Sequence, residues 1–147
     1  QGLRIIDAYC GVGAYTLPLA AAGHHCLGLE LQPAAVELAR RNARRNGLDQ
    51  QAHFAQGPVA ELLKDKLTQG ADVVLVDPPR KGLERAVSET LLESPVNTLL
   101  YLSCDPATQA RDLQLLVGSG PYRIARIQPL DFFPNTSHIE TLVTLNS

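Results

Sequence analysis

Cys104 closes an apolar β-type run, Leu99 to Ser103, and is followed at once by the signals of a helix start, Asp105 as N-cap and Pro106 as first helical residue. A thiol so placed stands at the carboxyl end of a buried strand, where open α/β sheets carry their chemistry. The positive end of the next helix is expected to face the sulfur and to favour thiolate over thiol. Cys104 is therefore a candidate nucleophile. LDFFPNTSHIETLVTL puts His138 and Glu140 two residues apart at the start of a last strand, hence on one face. If that strand runs antiparallel to the one ending at Cys104, its beginning lies beside the other's end. Glu140 then approaches the thiol as a candidate base, while His138 is read as an ordinary hydrogen-bonding histidine. ADVVLVDPPRKGL places Asp77 at the end of another strand, with Pro78 and Pro79 stiffening the exit. A carboxylate there can accept hydrogen bonds from a planar base or an amine.

A second constellation lies near the start. DAYCGVGAYTLPLA follows the first strand and opens the first helix, with Gly11 and Gly13 at the turn. Small residues let backbone N–H groups approach a ligand. Glu30 ends the second strand, where an acidic side chain can take both ribose hydroxyls of a nucleoside cofactor. The GVGA spacing is shorter than that of dinucleotide sites and suits a cofactor without a pyrophosphate. Together these features point to S-adenosylmethionine. Cys10 and Cys26 are read as packing residues. Arg40, Arg41, Arg44 and Arg45 are read as a solvated helix face rather than a nucleic-acid patch.

The elements that must position these groups alternate. Strands are expected at 3–9, 25–31, 51–55, 72–76, 98–103, 122–128 and 139–145, and helices at 14–22, 33–46, 59–68, 84–93 and 106–118. Such alternation calls for a parallel sheet covered on both faces. The last two strands are joined too closely for a parallel crossover and should pair antiparallel. The pattern resembles the Rossmann-like class I methyltransferase fold, a mostly parallel seven-stranded α/β sheet with an antiparallel last strand. With 147 residues, 45% hydrophobic, the chain reads as one catalytic domain, residues 1–147. Its start at Gln1 and its lack of methionine suggest a fragment of a longer protein. A net charge of −2 argues against holding a phosphate backbone by bulk electrostatics. Three cysteines without a CxxC pair fit a reduced compartment and no metal site. With no apolar run long enough to cross a bilayer, a cytoplasmic protein without membrane partners is expected.

DPPRKGL, LLYLSCD and FPNTSHIE, following DAYCGVG, together resemble the RNA (uracil-5-)-methyltransferase family, which makes 5-methyluridine in 23S ribosomal RNA and transfer RNA. The likeness covers essentially the whole chain, and the DPPR-to-SCD block is its most specific part. It implies S-adenosylmethionine as cofactor and RNA as partner, with the ribosomal branch favoured by YLSCDPATQARDL. It also implies that Cys104 is the nucleophile, that Glu140 is the general base and that Asp77 lies in the cofactor and uracil pocket. Tyr9 and Glu30 match cofactor-contacting positions. Where the family carries Asp or Asn after the third strand, this chain reads AQGPVAE, so adenine contact is expected to fall to Gln56 or to backbone. The family's upstream FxQxN segment and its RNA-binding module are not in these residues, so low activity is expected of the isolated fragment. Two other readings stay open. One is a class I methyltransferase for a small molecule or protein, with Cys104 structural. The other is a catalytically silent cofactor-binding or RNA-binding module.

Overall fold

The strands are β1 (Arg4–Ala8), β2 (His25–Glu30), β3 (Ala52–Gln56), β4 (Val73–Val76), β5 (Thr98–Ser103), β6 (Arg123–Leu130) and β7 (Glu140–Asn146). The helices between them are α1 (Thr16–Ala21), α2 (Pro33–Arg45), α3 (Val59–Leu67), α4 (Arg85–Glu93) and α5 (Pro106–Gly118). This computed structural model describes residues 2–132 and 134–147. Phe133, the first residue of the FPNTSHIE motif, and Gln1 lie outside the described residues. The strands form one sheet in the order β3-β2-β1-β4-β5-β7-β6. β1, β2 and β3 pair in parallel, and β7 runs antiparallel to both β5 and β6. The expected α/β architecture with antiparallel closing strands is the one observed.

The chain divides into two compact units, Gln1–Val74 and Leu75–Ser147. In the first, Ile5, Ile6 and Ala8 of β1 are buried, as are Cys26 and Leu29 of β2. Val36, Ala39 and Ala43 form the buried stripe of α2, at the spacing of one helix face. Pro33 opens that helix, where its missing N–H leaves no bond unmade. The first helix is shorter than expected. Residues 11–15 stay in a turn because Gly11 and Gly13 take φ of +55° and +90°, and helical geometry begins only at Thr16.

In the second unit the core gathers on β5, where Leu99 and Tyr101 are fully buried, against Val143 and Leu145 of β7. Those residues are register partners, Leu99 with Leu145 and Tyr101 with Val143. Asp105 caps α5 as expected, its Oδ1 accepting from the Ala107 and Thr108 N–H groups at 3.0 Å each. β6 is an edge strand with little burial along its length. Among the described residues, no helix is long and apolar enough to cross a membrane.

Buried Tyr122 ties the stretch after α4 to α4 itself. Its hydroxyl accepts from the Val96 N–H and donates to the Leu91 carbonyl, each at 3.1 Å. Tyr122→Phe leaves both backbone groups without that partner and should lower stability by about 1–3 kcal/mol, read from urea unfolding. A variant with wild-type stability would show that these two bonds contribute nothing.

Candidate active site

The glycine turn and the end of β2 meet through one side chain. Glu30 is half-buried, and its Oε2 accepts from the Gly11 N–H while its Oε1 accepts from the Gln32 N–H, both at 3.0 Å. Each carboxylate oxygen keeps a free lone-pair direction, because a carboxylate offers about four acceptor sites and two are used. Those acceptor positions suit the two hydroxyls of a ribose diol. Tyr9, between β1 and the turn, has φ +64°, a conformation seldom adopted by a residue with a side chain. Gln56 donates through Nε2 to the Leu31 carbonyl at 2.9 Å, so one of its polar ends is already committed.

Cys10 and Cys26 are buried and unreactive. Burial first, then the charges of Asp7 and Glu30, pushes the Cys10 thiol up to about 12. Burial and Asp7 push Cys26 up to about 11. At neutral pH neither supplies thiolate. Of the arginines on α2, Arg40 donates to the Phe54 carbonyl at 2.9 Å and Arg41 pairs with Glu37 at 3.7 Å.

In the second unit, Cys104 directly follows β5 and Glu140 begins β7. Ser103 is the last residue of β5 in register, opposite Thr141. The next residues outward are Cys104 and Glu140, which the same antiparallel register, continued by one step, would bring opposite one another. Both are half-buried. Asp77, the residue after β4, reaches the same carboxylate: its pKa is pushed up to about 6 by burial first and then by the charge of Glu140. His138 precedes the strand and is exposed, its N–H donating to Thr136 Oγ1 at 3.3 Å. The amides at the start of α5 donate to Asp105. Those bonds, the Thr108 N–H foremost, hold the Asp105 carboxyl below its usual range. The helix start thus spends two of its N–H groups on its own cap rather than on the sulfur.

Gln109 and Asp112 were not anticipated from the sequence. Both are buried on the α5 stripe that continues to Leu116. Gln109 Nε2 donates to the Tyr101 carbonyl at 3.1 Å and to the Thr141 carbonyl at 3.0 Å, bracing both strands beside the thiol. The available signal is their spacing: residues 109, 112 and 116 share one helix face. Among the described residues no cluster of three or more metal-ligating side chains occurs.

Comparison with known proteins identifies relatives of the whole chain. A protein of Parasynechococcus marenigrum named as an uncharacterized RNA methyltransferase is 54% identical over 142 residues, 96% of this chain and 30% of the relative. One of the same description from Thermosynechococcus vestitus is 46% identical over 98% of the chain and 32% of its own length. The chain thus spans about a third of the length of these curated relatives. The crystal structure of Pyrococcus abyssi tRNA (uracil-54, C5)-methyltransferase in complex with S-adenosyl-L-homocysteine superposes with a TM-score of 0.85 at 36% identity. That match covers 99% of this chain and 34% of the other. The magnesium protoporphyrin IX methyltransferase of Synechocystis shares the fold, at 22% identity and a TM-score of 0.75. The family model for tRNA (uracil-5-)-methyltransferase matches residues 1–147, and this chain belongs to that family.

Proposed function

We propose that this chain is the catalytic domain of an enzyme that methylates carbon 5 of a uridine in RNA, 23S ribosomal RNA being favoured over transfer RNA. The observation that supports the reading is the antiparallel register that ends at the Ser103–Thr141 pair, the residues just inside Cys104 and Glu140. Carbon 5 of uracil is too weak a nucleophile to take a methyl group unaided. Addition of the Cys104 thiolate to carbon 6 makes it an enolate carbon. S-adenosylmethionine, held by Tyr9, Gly11, Gly13 and Glu30, supplies the electrophilic methyl group when bound. The methylated base still carries its hydrogen at carbon 5. Glu140 accepts that proton, the carbon 5–carbon 6 double bond re-forms and the Cys104 thiolate leaves. Asp77 is assigned to the pyrimidine edge; with its pKa near 6 it passes between donor and acceptor close to neutrality. The target base must be extruded from a folded RNA.

The test uses 5-fluorouridine-substituted ribosomal or transfer RNA with S-adenosylmethionine, applied to this chain and to the full-length protein that carries it. Fluorine cannot leave as a proton, so a covalent adduct mapped to Cys104 is expected. Cys104→Ser should abolish turnover and spare cofactor affinity, and Glu140→Gln should stall with the methylated base attached to Cys104. A folded, cofactor-binding protein that forms no adduct with either RNA, or a Glu140→Gln variant that turns over freely, would overturn the reading.

Asp77 also gives a pH dependence. Its pKa is raised from 3.8 in the unfolded chain to about 6 in the fold, so ionisation in the fold is unfavourable. That penalty is absent below pH 4, grows as pH rises and is complete above 6. Asp77→Asn should therefore raise the stability of the ligand-free protein at pH 7, by about 1–2 kcal/mol after allowing for solvent screening of a half-buried group. The gain should vanish by pH 4 in urea titrations across pH. A gain that does not depend on pH would contradict the shifted carboxyl.

A further inference from the structure

The loop that leaves β4 is held, backbone group by backbone group, by side chains of α5. Thr108 Oγ1 donates to the Arg80 carbonyl at 2.8 Å, and Arg111 Nη2 donates to the Lys81 carbonyl at 2.9 Å. The Leu83 N–H donates to Asp112 Oδ2 at 2.8 Å. Residues 108, 111 and 112 lie three and four apart and so share a helix face. Asp112 is 4% exposed and serves as the centre of the group. Its Oδ2 also accepts from the Tyr101 hydroxyl of β5 at 2.7 Å, and its Oδ1 accepts from Arg111 Nε and Nη2 at 3.0 and 2.8 Å.

Gly82 shows how close loop and helix stand. A Cβ on it would lie 2.5 Å from Arg111 Nη2, 2.6 Å from Asp112 Oδ2 and 3.2 Å from Thr108 Cβ, and its φ of +83° disfavours a side chain in any case. The clamp grips main-chain atoms, so it fixes the path of the loop whatever side chains the loop carries. That loop begins at Asp77, and α5 begins two residues after Cys104. Strand pairing fixes where β4 and β5 end; it does not fix the direction in which the chain leaves β4.

We propose that Thr108, Arg111 and Asp112 are positioning residues, which clamp the 78–83 loop onto α5 and so set where Asp77 and Arg80 stand relative to the Cys104 thiol. The inference rests on Cys104 acting as nucleophile. Displacements of about 1 Å between reacting groups change rates about a hundredfold, so a clamp of this kind bears on turnover before it bears on folding.

The test compares Thr108→Val, Thr108→Ser and Asp112→Asn in the full-length protein. Thr108→Val keeps the shape of the side chain and removes the donor to Arg80. It should speed amide hydrogen exchange at Leu83 and its neighbours and lower kcat for transfer of labelled methyl into RNA about tenfold. Affinity for S-adenosylmethionine should fall by less than about threefold, because of the groups expected at the cofactor only Asp77 adjoins the clamped loop. Thr108→Ser retains the donor and should restore most of the rate. Asp112→Asn should act more strongly in the same sense. Labelling of Cys104 by iodoacetamide reads the geometry without any methyl transfer and should change at least about threefold in Thr108→Val. A loosened loop with unchanged kcat and unchanged Cys104 labelling would overturn the proposal. So would a loss of rate matched by the unfolded fraction, or by an equal loss of cofactor affinity. Wild-type protein that methylates RNA yet forms no 5-fluorouridine adduct would instead remove the uracil reading, leaving the clamp to be judged on kcat and labelling.

Discussion

The antiparallel pairing of β5 with β7 is the constraint on which the candidate chemistry depends. It is an apolar register: Leu99 against Leu145 and Tyr101 against Val143, all buried. A slip by one residue would turn each of those side chains to the wrong face, so the hydrophobic core forbids it. Hydrophobic burial, which has no directional preference of its own, thereby fixes a directional relation three residues further out, at the strand ends that Cys104 and Glu140 adjoin. Gln109 reinforces the same pair by donating to a carbonyl on each strand.

Burial also sorts the ionisable groups. It pushes the Cys10 and Cys26 thiols far above neutrality, whereas Cys104 keeps access to solvent. It lifts Asp77 to about 6, with the charge of Glu140 adding to the effect. Asp105 moves the opposite way because two backbone N–H groups stabilise its charged form. Five side chains of two chemical kinds, three thiols and two aspartates, thus acquire different character from solvation and hydrogen bonding.

Much of this was legible from residue order. β5 and α5 have the extents their patterns predict, because a leucine-rich run with one aromatic residue passes directly into Cys104 and an Asp-Pro helix start. The antiparallel pairing of β7 with β6 followed from the short connection between the last two strands, whereas its pairing with β5, on which the expected approach of Glu140 to Cys104 depends, had no such local signal. The start of α1 was placed too early, since helix propensity in AYTLPLA says nothing of the positive φ angles that hold residues 11–15 in a turn. The contacts of Thr108, Arg111 and Asp112 were not legible either. Each reads as an ordinary polar helix residue, and the groups they hold lie about thirty residues away in the chain. Long-range side-chain to backbone bonds leave no local periodicity. Only the presence of Gln109 and Asp112 on the Leu116 stripe hinted that polar groups were buried there.

Because the β5–β7 register is set inside the strands, by Val143 and Leu145, the length of the connection between β6 and β7 is free of any duty to aim Glu140. Closing a longer loop is inexpensive, about 0.6 kcal/mol for each doubling of its length. A longer connection at residues 131–139 would therefore leave the carboxylate that follows it where the strand register puts it.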